Sequence, residues 1–185
     1  SWPTKVGSTS PGVVKDSLRI HREVTRELGI RLGVHYSGVW DDRAIELHPE
    51  YARVGPDGKP DRRITCRHSR YLEDLMIPQL LEIVETYDVD GFWVDGDNWA
   101  SVPCWCERCA AEFGRRTGLG EIPRAPADPH WSRWLAYHRD LFVDYVRRYT
   151  EAIHARKPEC AVTSSFMYGA RQPDPRMTAP LDYLS

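Results

Sequence analysis

A chain of 185 residues has room for about one domain, and with 41% hydrophobic, 11% aromatic and 28% charged residues it can fill a core, which excludes a disordered tail. The net charge is −2, and the 25 basic residues (21 Arg and 4 Lys) lie scattered among 27 acidic ones, so no field draws the chain to nucleic acid or anionic lipid. No apolar run approaches the roughly 20 residues that span a bilayer, and Ser1-Trp2-Pro3-Thr4-Lys5 does not read as a secretory signal, which makes a cytoplasmic protein the expectation and leaves native targeting open.

From Pro11 to Leu28, apolar Val14, Leu18, Val24 and Leu28 recur at helical spacing, with Pro11 suited to a first turn. Gly29 closes that helix, and Ile30 to Tyr36 alternates with period two as a strand. A long polar loop from Ser37 to about Arg67 carries the turn signal Gly55-Pro56-Asp57-Gly58. A second helix over Ser69 to Tyr87 has Leu72, Leu75, Met76, Leu80, Ile83, Val84 and Tyr87 on one face. It must break at Pro78, because proline inside a helix costs about 3 kcal/mol. Asp90 to Asp95 reads as a second strand. The cysteines at 104–109 then lead into a short helix ending near Gly118, and a Pro-rich link runs from Pro123 to Pro129. A long helix from about His130 to Arg156 carries the apolar stripe Trp131, Trp134, Leu135, Leu141, Phe142, Tyr145, Val146, Tyr149 and Ile153. Cys160 to Met167 is a third strand, and Leu181 to Ser185 offers the start of a fourth.

This alternation argues for parallel βαβ units. No Gly-rich phosphate loop follows any strand, and the long loops sit at strand carboxyl ends, as in a (β/α)8 TIM barrel. A whole barrel takes about 250 residues, so the expectation for 1–185 is a partial barrel, about half of one, as a portion of a larger protein.

In Gly91-Phe92-Trp93-Val94-Asp95-Gly96-Asp97-Asn98-Trp99, strand alternation puts Phe92 and Val94 on one face and Trp93 and Asp95 on the other. If Phe92 and Val94 meet the helices, Asp95 looks toward the barrel axis at a strand's carboxyl end, where barrel enzymes place their chemistry. Gly96 allows close approach of a ligand, and Asn98 and Trp99 stand next to it. A loop aspartate that caps a turn or pairs with an arginine is the competing reading. Asp88 and Asp90, at the strand's other end, read as turn or capping groups. By the same alternation His35 faces inward in the first strand, while Tyr36 and Trp40 lie at or just past its end. These three residues suit either sugar contacts or core packing.

Two resemblances bear on this stretch. Ile77-Pro78-Gln79-Leu80-Leu81-Glu82-Ile83-Val84-Glu85-Thr86-Tyr87, running into Asp90-Gly91-Phe92-Trp93-Val94-Asp95-Gly96, resembles the α-L-fucosidases of glycoside hydrolase family 29, as does Leu32-Gly33-Val34-His35-Tyr36-Ser37. That resemblance implies a retaining glycosidase with Asp95 as nucleophile, acting on a hexose or deoxyhexose glycoside. Arg62-Arg63-Ile64-Thr65-Cys66-Arg67-His68-Ser69-Arg70-Tyr71, with Cys104-Trp105-Cys106-Glu107-Arg108-Cys109, is similar to the zinc-bearing β-galactosidases of glycoside hydrolase family 42. There the strand before the cysteines ends Asp-Asn-Glu; here it reads Asp95-Gly96-Asp97, which makes Asp97 the acid/base of an alternative, β-galactosidase-like site. A third reading keeps the barrel as a non-catalytic carbohydrate-binding scaffold. Asp97 stands close to Asp95 in the chain for a carboxylate pair, so a later strand is the expected source of the acid/base, and this portion alone is expected to be inactive.

Five cysteines, at 66, 104, 106, 109 and 160, make an odd set unlike a disulfide framework. Cys104, Cys106 and Cys109 bring two loop thiols and one from a first helical turn together, a spacing that suits one tetrahedral ion, a disulfide or free thiols. The family 42 resemblance supplies Cys66 as fourth ligand and zinc as the metal. Four thiolates leave no open position, so that zinc is structural. No organic cofactor is expected, a carbohydrate is the expected partner, and a homo-oligomer is left open.

Overall fold

The computed structural model describes residues 1–96, 101–165 and 181–183. Helix α1 spans Ser17–Glu27 and starts where the Asp16 carboxylate accepts the Arg19 N–H at 3.0 Å. Strand β1 is Gly33–Ser37. The chain then makes helix α2, Asp42–Leu47, which the Asp41 carboxylate caps through the Ala44 N–H at 2.8 Å. Strands β2, Ala52–Val54, and β3, Pro60–Thr65, pair as an antiparallel hairpin. A π-helical turn over Leu72–Met76 runs straight into helix α3, Ile77–Tyr87. Strand β4, Gly91–Asp95, helix α4, Glu107–Thr117, helix α5, Trp131–Arg156, and strand β5, Ala161–Ser164, complete the order.

Strands β1, β4 and β5 form a parallel sheet with β4 in the centre. The architecture is therefore mixed α/β with helical crossovers, and among the described residues the three parallel strands form an open sheet rather than a closed barrel. Leu181 to Tyr183 run beside β5 without extending the sheet as a strand: Val162 N–H donates to the Asp182 carboxylate at 2.7 Å and Asp182 N–H donates back to the Val162 carbonyl at 3.0 Å.

One face of the sheet carries Tyr36, Phe92, Val94 and Val162, which pack on Leu80, Ile83, Val84 and Tyr87 of α3 and Phe142, Val146, Tyr149 and Ile153 of α5. Burying each such side chain contributes roughly 1.5–3 kcal/mol. On the other face the register stacks residues in layers. Gly33, Gly91 and Ala161 lie level, His35, Trp93 and Thr163 come next, and Ser37 and Asp95 stand at the carboxyl end. The lowest layer is tight: a Cβ on Gly91 would meet the Ala161 carbonyl oxygen at 2.7 Å. At the opposite end of the strands, Asp90 accepts the Leu32 N–H at 2.7 Å and pairs with Arg22 at 2.8 Å, while Asp88 pairs with Arg26 and Lys157. Asp88 and Asp90 thus hold α1, α5 and the strand starts together.

The structure corrects four readings. Helix α1 begins six residues after Pro11, because the Asp16 cap sets its start; Val14 is 91% exposed, and Val24 and Leu28 also face outward. The buried positions of α1 are Leu18 and Arg22, whose guanidinium reaches Asp90. The long polar loop after β1 is not structureless. It contains α2 and the β2–β3 hairpin, elements of six, three and six residues that are too short to show a period. Tyr36 points away from the sheet end that His35 and Asp95 share: it is buried among the helices and donates its hydroxyl to Gln79 Oε1 at 2.7 Å. Pro78 does not break the helix as expected: Met76 and Ile77 keep helical φ and ψ, and the π-helical turn, in which the Ile77 N–H donates to the Leu72 carbonyl, shifts the hydrogen-bond ladder just before the proline's missing donor, so the helical path continues through it.

Candidate active site and metal centre

Asp95 ends β4, and Gly96 immediately after it has φ of +76°, a left-handed turn that favours glycine. The turn brings the Gly96 N–H onto Asp95 Oδ1 at 2.8 Å, and the Ser165 hydroxyl donates to the same oxygen at 2.5 Å. His35 Nε2 lies 3.3 Å from Oδ2. An ionised carboxylate can only accept, so this His35 nitrogen carries the proton. These donors, Ser165 first and then His35 and Gly96, hold the Asp95 carboxyl below the ordinary carboxylate range against a smaller opposing effect of burial. The side chain remains 47% exposed. Oδ1 is engaged by two donors and Oδ2 by His35 alone, so Oδ2 keeps more acceptor capacity for a ligand.

Around it, the His35 ring meets Trp93 edge-on with centroids 5.1 Å apart, and Trp93 is 44% exposed. Trp40 lies on the other side, within van der Waals reach of a Cβ placed on Gly96, and the Arg63 guanidinium covers its ring at 4.9 Å. His35, Trp40, Trp93 and Asp95 therefore converge at the carboxyl ends of β1 and β4, and Tyr36 does not join them. Asp97, Asn98 and Trp99 lie outside the described residues. The sequence reading leaves Ser165 unassigned, although the alternation of Val162 and Thr163 carries its signal, since Ser165 must share the face of Thr163.

A second site forms beside this one. Cys66, just past β3, meets Cys104 and Cys106 of the loop before α4 and Cys109 of the first turn of α4. The four sulfurs lie within 4.8 Å of one another, with Cys66 to Cys106 and Cys66 to Cys109 both at 3.6 Å. A disulfide needs about 2.05 Å. A tetrahedral ion with Zn–S bonds of about 2.3 Å sets its ligand sulfurs about 3.8 Å apart. The spacing therefore fits four ligands of one metal ion and rules against a disulfide in this state. Val54 N–H donates to Cys104 Sγ at 3.4 Å, and hydrogen bonds from Cys106, Cys109 and Cys66 hold the Cys104 thiol far below its usual value. The cluster sits in its own apolar shell of Phe113, Trp134, Tyr137 and Leu141. Cys160 lies apart, buried at the start of β5.

No protein-family model matches the chain, and no curated protein matches it. Among solved structures it is similar to α-L-fucosidase isoenzyme 2 from Paenibacillus thiaminolyticus, with TM-score 0.69 and 25% identity over 88% of this chain and 24% of that one. It is also similar to a β-galactosidase from the Antarctic haloarchaeon Halorubrum lacusprofundi (TM-score 0.72, 18% identity, 95% of this chain and 33% of that one). A third likeness is to a β-galactosidase from the psychrophilic Marinomonas ef1 (TM-score 0.70, 12% identity, 95% and 33%). The chain thus spans 24–33% of the length of these structures, and it has a glycosidase-like α/β fold.

Proposed function

We propose that this chain is the nucleophile-bearing part of a retaining glycoside hydrolase, acting on a hexose or deoxyhexose glycoside with an α-L-fucoside as first candidate. One observation carries the reading. An ionised carboxylate, Asp95, stands at the carboxyl end of the central parallel strand with one oxygen locked by Ser165 and Gly96 and the other held only by His35, in a side chain that stays 47% exposed. In such a mechanism Asp95 Oδ2 bonds to the anomeric carbon as the bond from that carbon to the leaving oxygen breaks. A second carboxyl group, about 5–5.5 Å away, gives its proton to that oxygen. The same group then takes a proton from water, and the resulting hydroxide attacks the anomeric carbon and frees Asp95. The second group is assigned to a residue outside the described ones, Asp97 being one candidate. Trp93 and Trp40 offer apolar ring faces for a sugar, and His35 offers an N–H at the reacting centre.

The four cysteines are assigned to a structural zinc, since four thiolates close the coordination sphere and leave no site for a substrate. Bound there, the metal would tie the β2–β3 hairpin to the segment that follows β4, next to Asp95.

The test is Asp95→Gly in the intact protein, assayed on a panel of aryl glycosides. Hydrolysis should be abolished and azide should restore turnover as a glycosyl azide, because azide occupies the space of the lost carboxylate. Unchanged hydrolysis removes Asp95 from the mechanism, and a wild-type protein that binds but cleaves none of the panel favours a carbohydrate-binding barrel.

A further inference from the structure

Arg67 is buried, and its partners are neutral. Both terminal nitrogens donate to the Val102 carbonyl, at 3.3 and 3.2 Å, and one of them donates to His138 Nδ1. His138 is fully enclosed, and a ring that accepts the guanidinium's hydrogen bond at Nδ1 is not an imidazolium, so it is uncharged. Arg67 Nε has no hydrogen-bond partner, and no carboxylate among the described residues forms an ion pair with this guanidinium. Burying a charge without an opposite charge costs several kcal/mol. The groups placed around Arg67 are those of the cysteine cluster: it follows Cys66 directly, its guanidinium holds the Val102 carbonyl two residues before Cys104, and the His138 ring that it contacts has Nε2 3.4 Å from the Cys104 backbone nitrogen. Four neutral thiols would offer it nothing, whereas a dication held by four thiolates carries a net charge of −2.

We propose that Arg67 is the counter-ion of a metal–tetrathiolate centre, so that burial of the guanidinium and occupancy by the metal stabilise one another. The inference rests on the metal reading of the four cysteines and adds a residue outside the ligand set. Its chemistry is simple: the positive charge offsets half of the centre's excess negative charge inside a water-poor pocket. The same guanidinium holds the Val102 carbonyl, so the charge balance also fixes the segment after β4. Coupling of this kind is reciprocal, and it is visible from either side.

The experiment compares the protein with Arg67→Met and Arg67→Lys, with Zn²⁺ affinity measured by competition against a chromophoric chelator. Urea unfolding is followed for the loaded and the stripped forms. Arg67→Met should weaken Zn²⁺ binding about 10–100-fold, the range usual for residues that support metal ligands. It should destabilise the loaded protein more than the stripped one. Arg67→Lys keeps the charge and loses the planar fork, and it should stay within about 3-fold of wild type. If Arg67 only holds Val102 and His138, Arg67→Met will destabilise loaded and stripped protein equally with affinity unchanged, and that overturns the proposal. Should the Met variant not fold, an affinity loss of tenfold or more in Arg67→Lys overturns it as well. A wild-type preparation that is folded and takes up no Zn²⁺ removes the metal reading and the counter-ion together, while Zn²⁺ bound at wild-type affinity by Arg67→Met removes the counter-ion alone.

Discussion

The Asp95 carboxylate and the Ser165 hydroxyl meet at 2.5 Å across the carboxyl ends of β4 and β5, though 70 residues separate them in the chain. The Ser165 hydroxyl does most to hold the Asp95 ionisation below the ordinary carboxylate range. Ser165→Ala should therefore raise it toward the ordinary carboxylate range, read from the pH titration of the Asp95 carboxyl carbon by NMR. The sign of the linkage follows. A carboxyl depressed in the fold contributes stability that is present above its unfolded value and lost as pH falls through the folded one. In the intact protein the acid limb of the rate profile should move to higher pH in this variant. An unmoved titration shows that the hydroxyl does not support the carboxylate.

Phe92 and Trp93 are neighbours on β4 with opposite duties. Phe92 is fully buried against the helices, and Trp93 is largely open on the other face. Phe92→Ala should cost about 3–5 kcal/mol in urea unfolding. Trp93→Ala should cost well under about 1 kcal/mol and instead weaken binding of sugars to the intact protein. Equal losses of stability for both variants would contradict the orientation of the sheet.

Loss of one thiol from the cluster of Cys66, Cys104, Cys106 and Cys109 should open the proposed metal site. Elemental analysis should find about one zinc per chain, and Cys106→Ser should lose it together with several kcal/mol of stability, since metal binding here is also folding energy. Chelator should produce the same loss in the wild type. A metal-free preparation with wild-type stability removes zinc from the structure.

Asp61 ties the hairpin to the segment that leads to the cysteines. It pairs with Arg53 at 2.8 Å and accepts the N–H groups of Arg63 and Ile64, and Arg53 also donates to the Pro103 carbonyl. Burial raises its ionisation, but the Arg53 and backbone hydrogen bonds outweigh that and leave it lowered. Asp61→Ala should cost about 2 kcal/mol at neutral pH, measured by thermal unfolding. The difference from wild type should shrink as pH falls below the ordinary carboxylate range, where the native group takes up its proton. A difference independent of pH would mean that the pair does not contribute.

Much of the local structure is legible from pattern alone. Alternation in Gly91-Phe92-Trp93-Val94-Asp95 separates the core face from the open one, because successive side chains of a strand leave opposite sides. The apolar stripe of α5 follows from helical spacing, whereas proline's missing donor suggests a break at Pro78 that the preceding π-helical turn removes. The α1 stripe misleads because Val14 lies before the Asp16 cap, and a period cannot say which side will be covered. The α2 and hairpin segments escape notice because three to six residues carry too few repeats of any period.

What the sequence determined by itself is the order of βα elements, the face of each strand and the three-cysteine spacing, because these depend on neighbours a few residues apart. Only the tertiary structure decided that Ser165 locks Asp95, that Tyr36 turns to Gln79, and that the buried Arg67 next to Cys66 holds the Val102 carbonyl and His138. Those relations join residues tens of positions apart, and they arise from strand register and from the packing of α5 over the hairpin loop, which no local periodicity encodes.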